Sequence, residues 1–137
     1  MIAYKTHHPI TAEDFIDVLN RSTLGERRPV EDPAAIEGMI RNADITITAW
    51  EGDKLVGVAR SVTDFTYCCY LSDLAVDADY QRQGIGVELM ALTQAQLGPG
   101  CKLILLAAPA AADYYLRVGF KHHPRCWTLD RDKRPGG

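Results

Sequence analysis

The chain has 137 residues, 47% of them apolar, and a net charge of −3. That length suits a single domain over residues 1–137 with one core and is too short for two. The acidic balance gives no electrostatic reason to expect nucleic acid as a partner. The longest apolar run, "LILLAAPAAA", is too short and too interrupted to span a bilayer.

The opening "MIAYKTHHP" lacks the basic, apolar and small-residue zones of a secretory signal, so the cytoplasm is the expected location. "IAYK" predicts a short strand. Thr11 then caps a helix carrying Phe15, Ile16, Val18 and Leu19. "STLGERRPV" reads as a polar loop with no evident structural duty. In "EDPAAIEGMIRN" Asp32 stands at the N-cap and Pro33 at the first helical position. Ile36, Met39 and Ile40 form the apolar face of that second helix. "ITITAW" has the period-two alternation of a half-buried strand, and "EGD" turns it into "KLVGVARSV" as a hairpin.

Another turn near Asp64 leads to the strand "YCCYLSDLAV". A helix follows from about Gly86, with Ile85, Leu89 and Leu92 on one side, until Gly98–Gly100 stops it after Leu97. "KLILLAA" is a continuous apolar run suited to a central strand covered on both faces. Pro109 opens a last helix over "AAADYYLRV", which Gly119 ends in a left-handed conformation with Phe120 packing back. "CWTL" offers a final short strand. The order predicts an α+β fold: a mixed, mostly antiparallel sheet, four helices, and one right-handed crossover joining a parallel pair.

The four cysteines have no metal-ligand spacing, and no metal is expected. Adjacent Cys68 and Cys69 point to opposite faces of their strand, Cys101 reads as packing and Cys126 as a free thiol. The pairs His7–His8 and His122–His123 read as surface loops. The basic stretch Arg131–Arg134 reads as a solvated terminus, and Trp50 and Trp127 as packing residues.

The stretch "QRQGIG", Gln81–Gly86, puts two glycines where a turn enters a helix. A P-loop is excluded because no Lys-Ser or Lys-Thr follows, and a dinucleotide fingerprint because its third glycine position is Leu89. What survives is a helix N-terminus with unpaired N–H donors and a partial positive charge. Gly84 and Gly86 let phosphate oxygens approach backbone without meeting a Cβ, and Arg82 and Gln83 add donors at the rim. The alternative is a tight turn and nothing more. The preceding "YLSDLAV" has one residue too many between Leu71 and Leu74 for a single period-two phase, the mark of a β-bulge. A bulge would splay this strand from its parallel neighbour and free backbone groups for an amide-rich arm, in line with a diphosphate cradle. That combination fits coenzyme A.

"LSDLAVDADYQRQGIGVELM" resembles the acyl-CoA-binding motif of the GCN5-related N-acetyltransferases, Arg/Gln-x-x-Gly-x-Gly/Ala after a bulged strand, met here by Gln81, Gly84 and Gly86. "AAADYYLRVGF" is similar to the family's second cofactor motif, a tyrosine four residues before Gly-Phe, here Tyr115 before Gly119–Phe120. The order of elements resembles that fold over nearly the whole chain. The resemblance implies transfer of acetyl from acetyl-CoA to a small-molecule or protein amine. It implies backbone of Leu74, Ala75 and Val76 on the pantetheine arm, with an N–H at Val76 polarising the thioester carbonyl. Residues from Gln81 through Ile85 to Gly86 would hold the diphosphate. Tyr115 would be the general acid for the thiolate or bind the cofactor sulfur by a hydrogen bond without chemistry, with Tyr114 facing elsewhere.

Asp73 is the candidate base, acting through water; the alternatives are an aspartate bonded to local backbone and an already neutral amine that enters directly without a base. Where the family often has an asparagine after "KLILLAA", this chain has Ala107 and Ala108. The acceptor pocket is expected from the first two helices, their loop and the hairpin. Arg27 and Arg28 are either carboxylate binders or surface ion-pair formers, and Arg60 faces the acceptor or pairs with Asp64. A homodimer through late strands is implied. The rival readings are a non-catalytic acyl-CoA-binding module and a plain nucleotide binder.

Overall fold

Period-two alternation through the middle of the chain builds one five-stranded sheet. The computed structural model describes all residues, Met1–Gly137, in two units, Met1–Leu106 and Ala107–Gly137. In the first, β1 (Ala3–Thr6), β2 (Ile45–Glu51), β3 (Lys54–Thr63), β4 (Cys68–Val76) and β5 (Lys102–Ile104) lie in the order β1-β2-β3-β4-β5. Only β4 and β5 run parallel. Gly52, with φ of +59°, supplies the left-handed residue of the β2–β3 hairpin. The fold is thus the expected mixed sheet with four helices.

One face of the sheet is covered by α1 (Ala12–Arg21) and α2 (Pro33–Arg41). Thr11 and Asp14 form a reciprocal capping box at the start of α1, and Asp32 caps α2 with Pro33 at its first position. Phe15, Val18 and Leu19 of α1 meet Ile36 of α2 and the sheet residues Trp50, Leu55, Val58 and Ala75 in the core. The other face is covered by α3 (Ile85–Gln94). Gly57 lets α3 come close: a Cβ there would stand 3.1 Å from Leu89 Cδ1 and 3.2 Å from Ile85 Cγ2. No helix is long and apolar enough to cross a membrane.

Several expectations change. The segment "KLILLAA" is not a central strand covered on both faces: β5 is a three-residue edge strand with Lys102 and Ile104 exposed. Its pairing with β4 ends at Tyr70–Ile104, and beyond that point the chain has no ladder to follow. α3 stops at Gln94, and tight turns carry the chain through Leu97 to Gly98. "STLGERRPV" contains a 3₁₀ turn, Leu24–Arg27, and has a structural duty described below.

In the second unit, a 3₁₀ turn (Pro109–Ala111) leads into α4 (Ala112–Arg117). Gly119 takes φ of +106° after it, and the Phe120 N–H donates to Tyr115 O at 3.0 Å, as the Gly-Phe pair predicts. "CWTL" forms no strand; its own unit contains none to pair with, and Trp127 is 88% exposed instead of packed. The late strand implied for subunit pairing is likewise absent.

Gly57→Val is expected to destabilise the fold by about 1–3 kcal/mol, because β-branched bulk presses on the Leu89 and Ile85 side chains of α3. Urea denaturation of both forms measures it, and equal midpoints would show that α3 can be pushed away freely.

Candidate active site

The bulge predicted between Leu71 and Leu74 is present. Arg60 pairs with Asp73 and Ser61 with Leu71, so Ser72 is the extra residue on β4. Because β5 leaves the ladder at Tyr70–Ile104, β4 has an open edge from Leu71 onward. Strand alternation decides which backbone groups face it. The Asp77 N–H donates to Val56 O at 2.8 Å, so Ala75, two residues back, also turns its backbone toward β3, and its side chain lies in the core. Leu74 and Val76 therefore present theirs to the open edge. The Val76 carbonyl is taken by the Gln81 side-chain amide at 3.1 Å. The Leu74 N–H and C=O and the Val76 N–H are left facing outward.

β4 runs into a loop that is fastened at three points before α3 begins. Asp77 accepts from the Asp79 N–H at 2.9 Å, the Tyr80 hydroxyl donates to Glu51 at 2.7 Å, and Gln81 holds Val76 as above. The N-cap of α3 is Gly84, at φ of +81°, with no side-chain cap. The first helical bond runs from the Glu88 N–H to Gly84 O, and no protein acceptor serves the N–H groups of Ile85, Gly86 or Val87. Nothing lies within 4 Å of where a Gly84 Cβ would be. Arg82, also left-handed at φ of +65°, and Gln83 are exposed beside it. An open strand edge leading to an uncapped helix N-terminus fits an amide arm followed by a diphosphate.

Asp73 is not bonded to local backbone. It is fully buried, one carboxylate oxygen accepting from Arg28 Nε and the other from Arg60 Nε. Arg28 also donates to Ser72 O at 2.7 Å, and Arg60 to Ser72 Oγ at 2.9 Å and Met39 O at 3.3 Å. Arg60 thus pairs with Asp73 rather than with Asp64, which instead accepts the N–H groups of Thr66, Tyr67 and Cys68. Four residues further on, Asp77 is held by Arg21 of α1 and lies 3.7 Å from Lys54 Nζ. Arg28, Arg21, Asp77 and Tyr80 carried no sequence signal for these duties; their partners are tens of residues away.

In the second unit Tyr115 lies on α4, half-buried, its ring 5.5 Å from Phe120 and 5.2 Å from Tyr114 in edge-to-face contacts. Burial pushes the Tyr114 hydroxyl above the ordinary tyrosine range, against the pull of Arg117.

Asp73→Asn should cost about 3 kcal/mol or more, since it leaves two guanidinium groups beside the core without their carboxylate; thermal unfolding measures the loss. Acid should weaken the second clamp. Burial pushes the Asp77 carboxyl up, but the Asp79 N–H, Arg21 and Lys54 outweigh it and hold its pKa below the usual 3.8. A lowered folded pKa gives stability that is present above the unfolded value and lost as pH falls through the folded one. Asp77→Asn should therefore flatten the decline in stability below about pH 4, followed by urea titration at each pH.

Residues 42–122 match the family model described as an acetyltransferase (GNAT) domain. A chloroplastic GCN5-related N-acetyltransferase from Arabidopsis thaliana is 34% identical over 76 residues, 52% of this chain and 28% of that protein. The chain thus spans less than a third of that relative's length. Among solved structures, a GNAT-family acetyltransferase from Streptococcus pneumoniae superposes with a TM-score of 0.76 at 23% identity, covering 96% of this chain and all of the other. An aminoglycoside N-acetyltransferase in complex with CoA has a TM-score of 0.73 at 15% identity, covering 97% and 96%. The matched stretch contains the hairpin, the bulged strand, the uncapped helix and Tyr115, and the chain belongs to the GNAT acetyltransferase family.

Proposed function

We propose that the protein transfers an acetyl group from acetyl-CoA to a primary amine of a small molecule or a protein. The observation that carries this reading is the open edge of β4 running into the uncapped N-terminus of α3. Family membership and a structural relative that holds CoA support it. The aminoglycoside enzyme among the structural relatives supports a small-molecule amine as the acceptor. The family match runs from the first unit into the second, which supports residues 1–137 as one acetyltransferase domain. Four free cysteines suit a reducing compartment, and we assign the protein to the cytoplasm on that ground.

Acetyl-CoA supplies an activated acyl group on a thiol leaving group. The chain's residues bind and orient it. Leu74 and Val76 offer main-chain partners to the amide arm, and the Val76 N–H is the donor assigned to the thioester carbonyl. Ala75 supports that strand from the core side. The N–H groups of Ile85 and Gly86 meet the diphosphate, with Gly84 leaving room and Arg82 and Gln83 at the rim. Gln81 acts indirectly by fixing the loop to Val76. Tyr115 is assigned as the acid that returns a proton to the departing thiolate. Asp73 is assigned to holding the bulge: both its oxygens already accept from guanidinium groups, a poor state for a proton acceptor. The amine then enters through its neutral fraction, and the proton it sheds as the amide forms passes through water to restore the Tyr115 hydroxyl.

Calorimetry should show acetyl-CoA and CoA binding well above ADP, because arm and diphosphate are both held. Tyr115→Phe should keep CoA bound and lower turnover about 10²–10⁴-fold, the usual range for a positioned acid. Binding by the wild type with no turnover of any amine would leave an acyl-CoA-binding module. ADP binding as tightly as acetyl-CoA would leave a nucleotide binder.

A further inference from the structure

The clamp at the bulge is unbalanced in charge. Arg28 and Arg60 share one carboxylate, Asp73, and no other acidic group lies within 4 Å of either. The cluster carries a net positive charge although acidic residues outnumber basic ones in Met1–Leu106. The neighbouring clamp lacks this surplus: Arg21 and Lys54 face Asp77, and Arg21 also pairs with Asp17 at 3.1 Å. An excess cation in a partly desolvated site is costly, and an anion brought to it relieves the cost.

Arg28 is the member of the pair that a ligand can reach. Its side chain is 21% exposed, against 9% for Arg60. It donates to Asp73, to Arg27 O and to Ser72 O, so two of a guanidinium's five N–H groups remain for a ligand. A planar fork of this kind suits a carboxylate. Resting on the transferase reading above, we infer that the acceptor amine carries a carboxylate and that Arg28 binds it.

The strand sets the length of that acceptor. Arg28 is bonded at Ser72, and the thioester is assigned near Leu74–Val76, about 7–13 Å along β4 at roughly 3.3 Å per residue. An α-amino acid, with both groups on one carbon, is too short. The acceptor class is one with amine and carboxylate at opposite ends of a chain: an ω-amino acid, a lysine side-chain amine with a free α-carboxylate, or a short peptide. The acidic residues Glu13, Asp14, Asp17 and Glu37 line a groove with the outer side of α1, opposite the face bearing Phe15, Val18 and Leu19, and are the rival determinant.

The test follows thiol release from acetyl-CoA by the full chain with 6-aminohexanoate, 6-aminohexanamide, glycine and spermidine, after calorimetry with CoA. The expected result is kcat/KM for 6-aminohexanoate at least about tenfold above the matched amide and above glycine. Arg28→Met should collapse that acid-to-amide ratio toward one, with Arg28→Lys between. A merely structural role would lower both rates and keep the ratio. If Arg28→Met does not fold, the wild-type ratio and Arg28→Lys carry the test. Equal use of acid and amide, preference for spermidine, or CoA binding with no turnover of any of the four overturns the carboxylate inference alone. Absence of CoA binding sinks the transferase reading and this inference with it.

Discussion

The structure depends on how β4 is held once its parallel partner is gone. Beyond Tyr70 the strand is paired on one side only, and a strand open to solvent along one edge invites slippage or a new partner. Two carboxylates prevent this. Asp73 and Asp77 alternate with Ala75 on the face that meets α1 and α2; Asp77 receives Arg21 from α1, and Asp73 receives Arg28 from the α1–α2 loop and Arg60 from β3. Buried ion pairs repay their desolvation only when further hydrogen bonds satisfy the remaining donors. Here Arg28 and Arg60 also donate to the carbonyl and the hydroxyl of Ser72, and Arg21 donates to Leu55 O. The bulge is therefore fastened from below while its edge stays free.

The same economy governs the helix that follows. A helix start normally gains stability from a side-chain cap, and Thr11 and Asp32 provide this for α1 and α2. α3 forgoes it: Gly84 offers no side chain and the first amides stay unpaired. Rigidity comes from the preceding loop, fastened through Asp77, Tyr80 and Gln81. Donors held in place before a ligand arrives need no ordering when it binds. A local rule is broken at the start of α3, and neighbouring contacts compensate.

Charge is unevenly placed in the first unit. The outer side of α1 is acidic, whereas the bulge carries the shared-aspartate cation pair. Arg28 belongs to the loop between α1 and α2, so β4 and the loop bonded to it are one mechanical piece. In the second unit, Gly119 and Phe120 fix the end of α4, the helix that carries Tyr115.

Local signals were legible in the sequence because their causes lie within a few residues. Thr11 and Asp32 announce helix starts, Gly52 a hairpin, and the phase slip between Leu71 and Leu74 a bulge. The two glycines after Gln81 announce an open helix start. Tertiary structure decided the rest. Asp73 lies 45 residues from Arg28 and Asp77 lies 56 from Arg21, and nothing local distinguishes these arginines from solvated ones. Arg60 has Asp64 nearby in sequence, but strand pairing places Asp73 opposite it once Ser72 is skipped. "KLILLAA" and "CWTL" have the composition of strands, yet a strand exists only where a neighbour supplies the other half of its ladder. β5 loses that neighbour after Ile104, and Trp127 never has one.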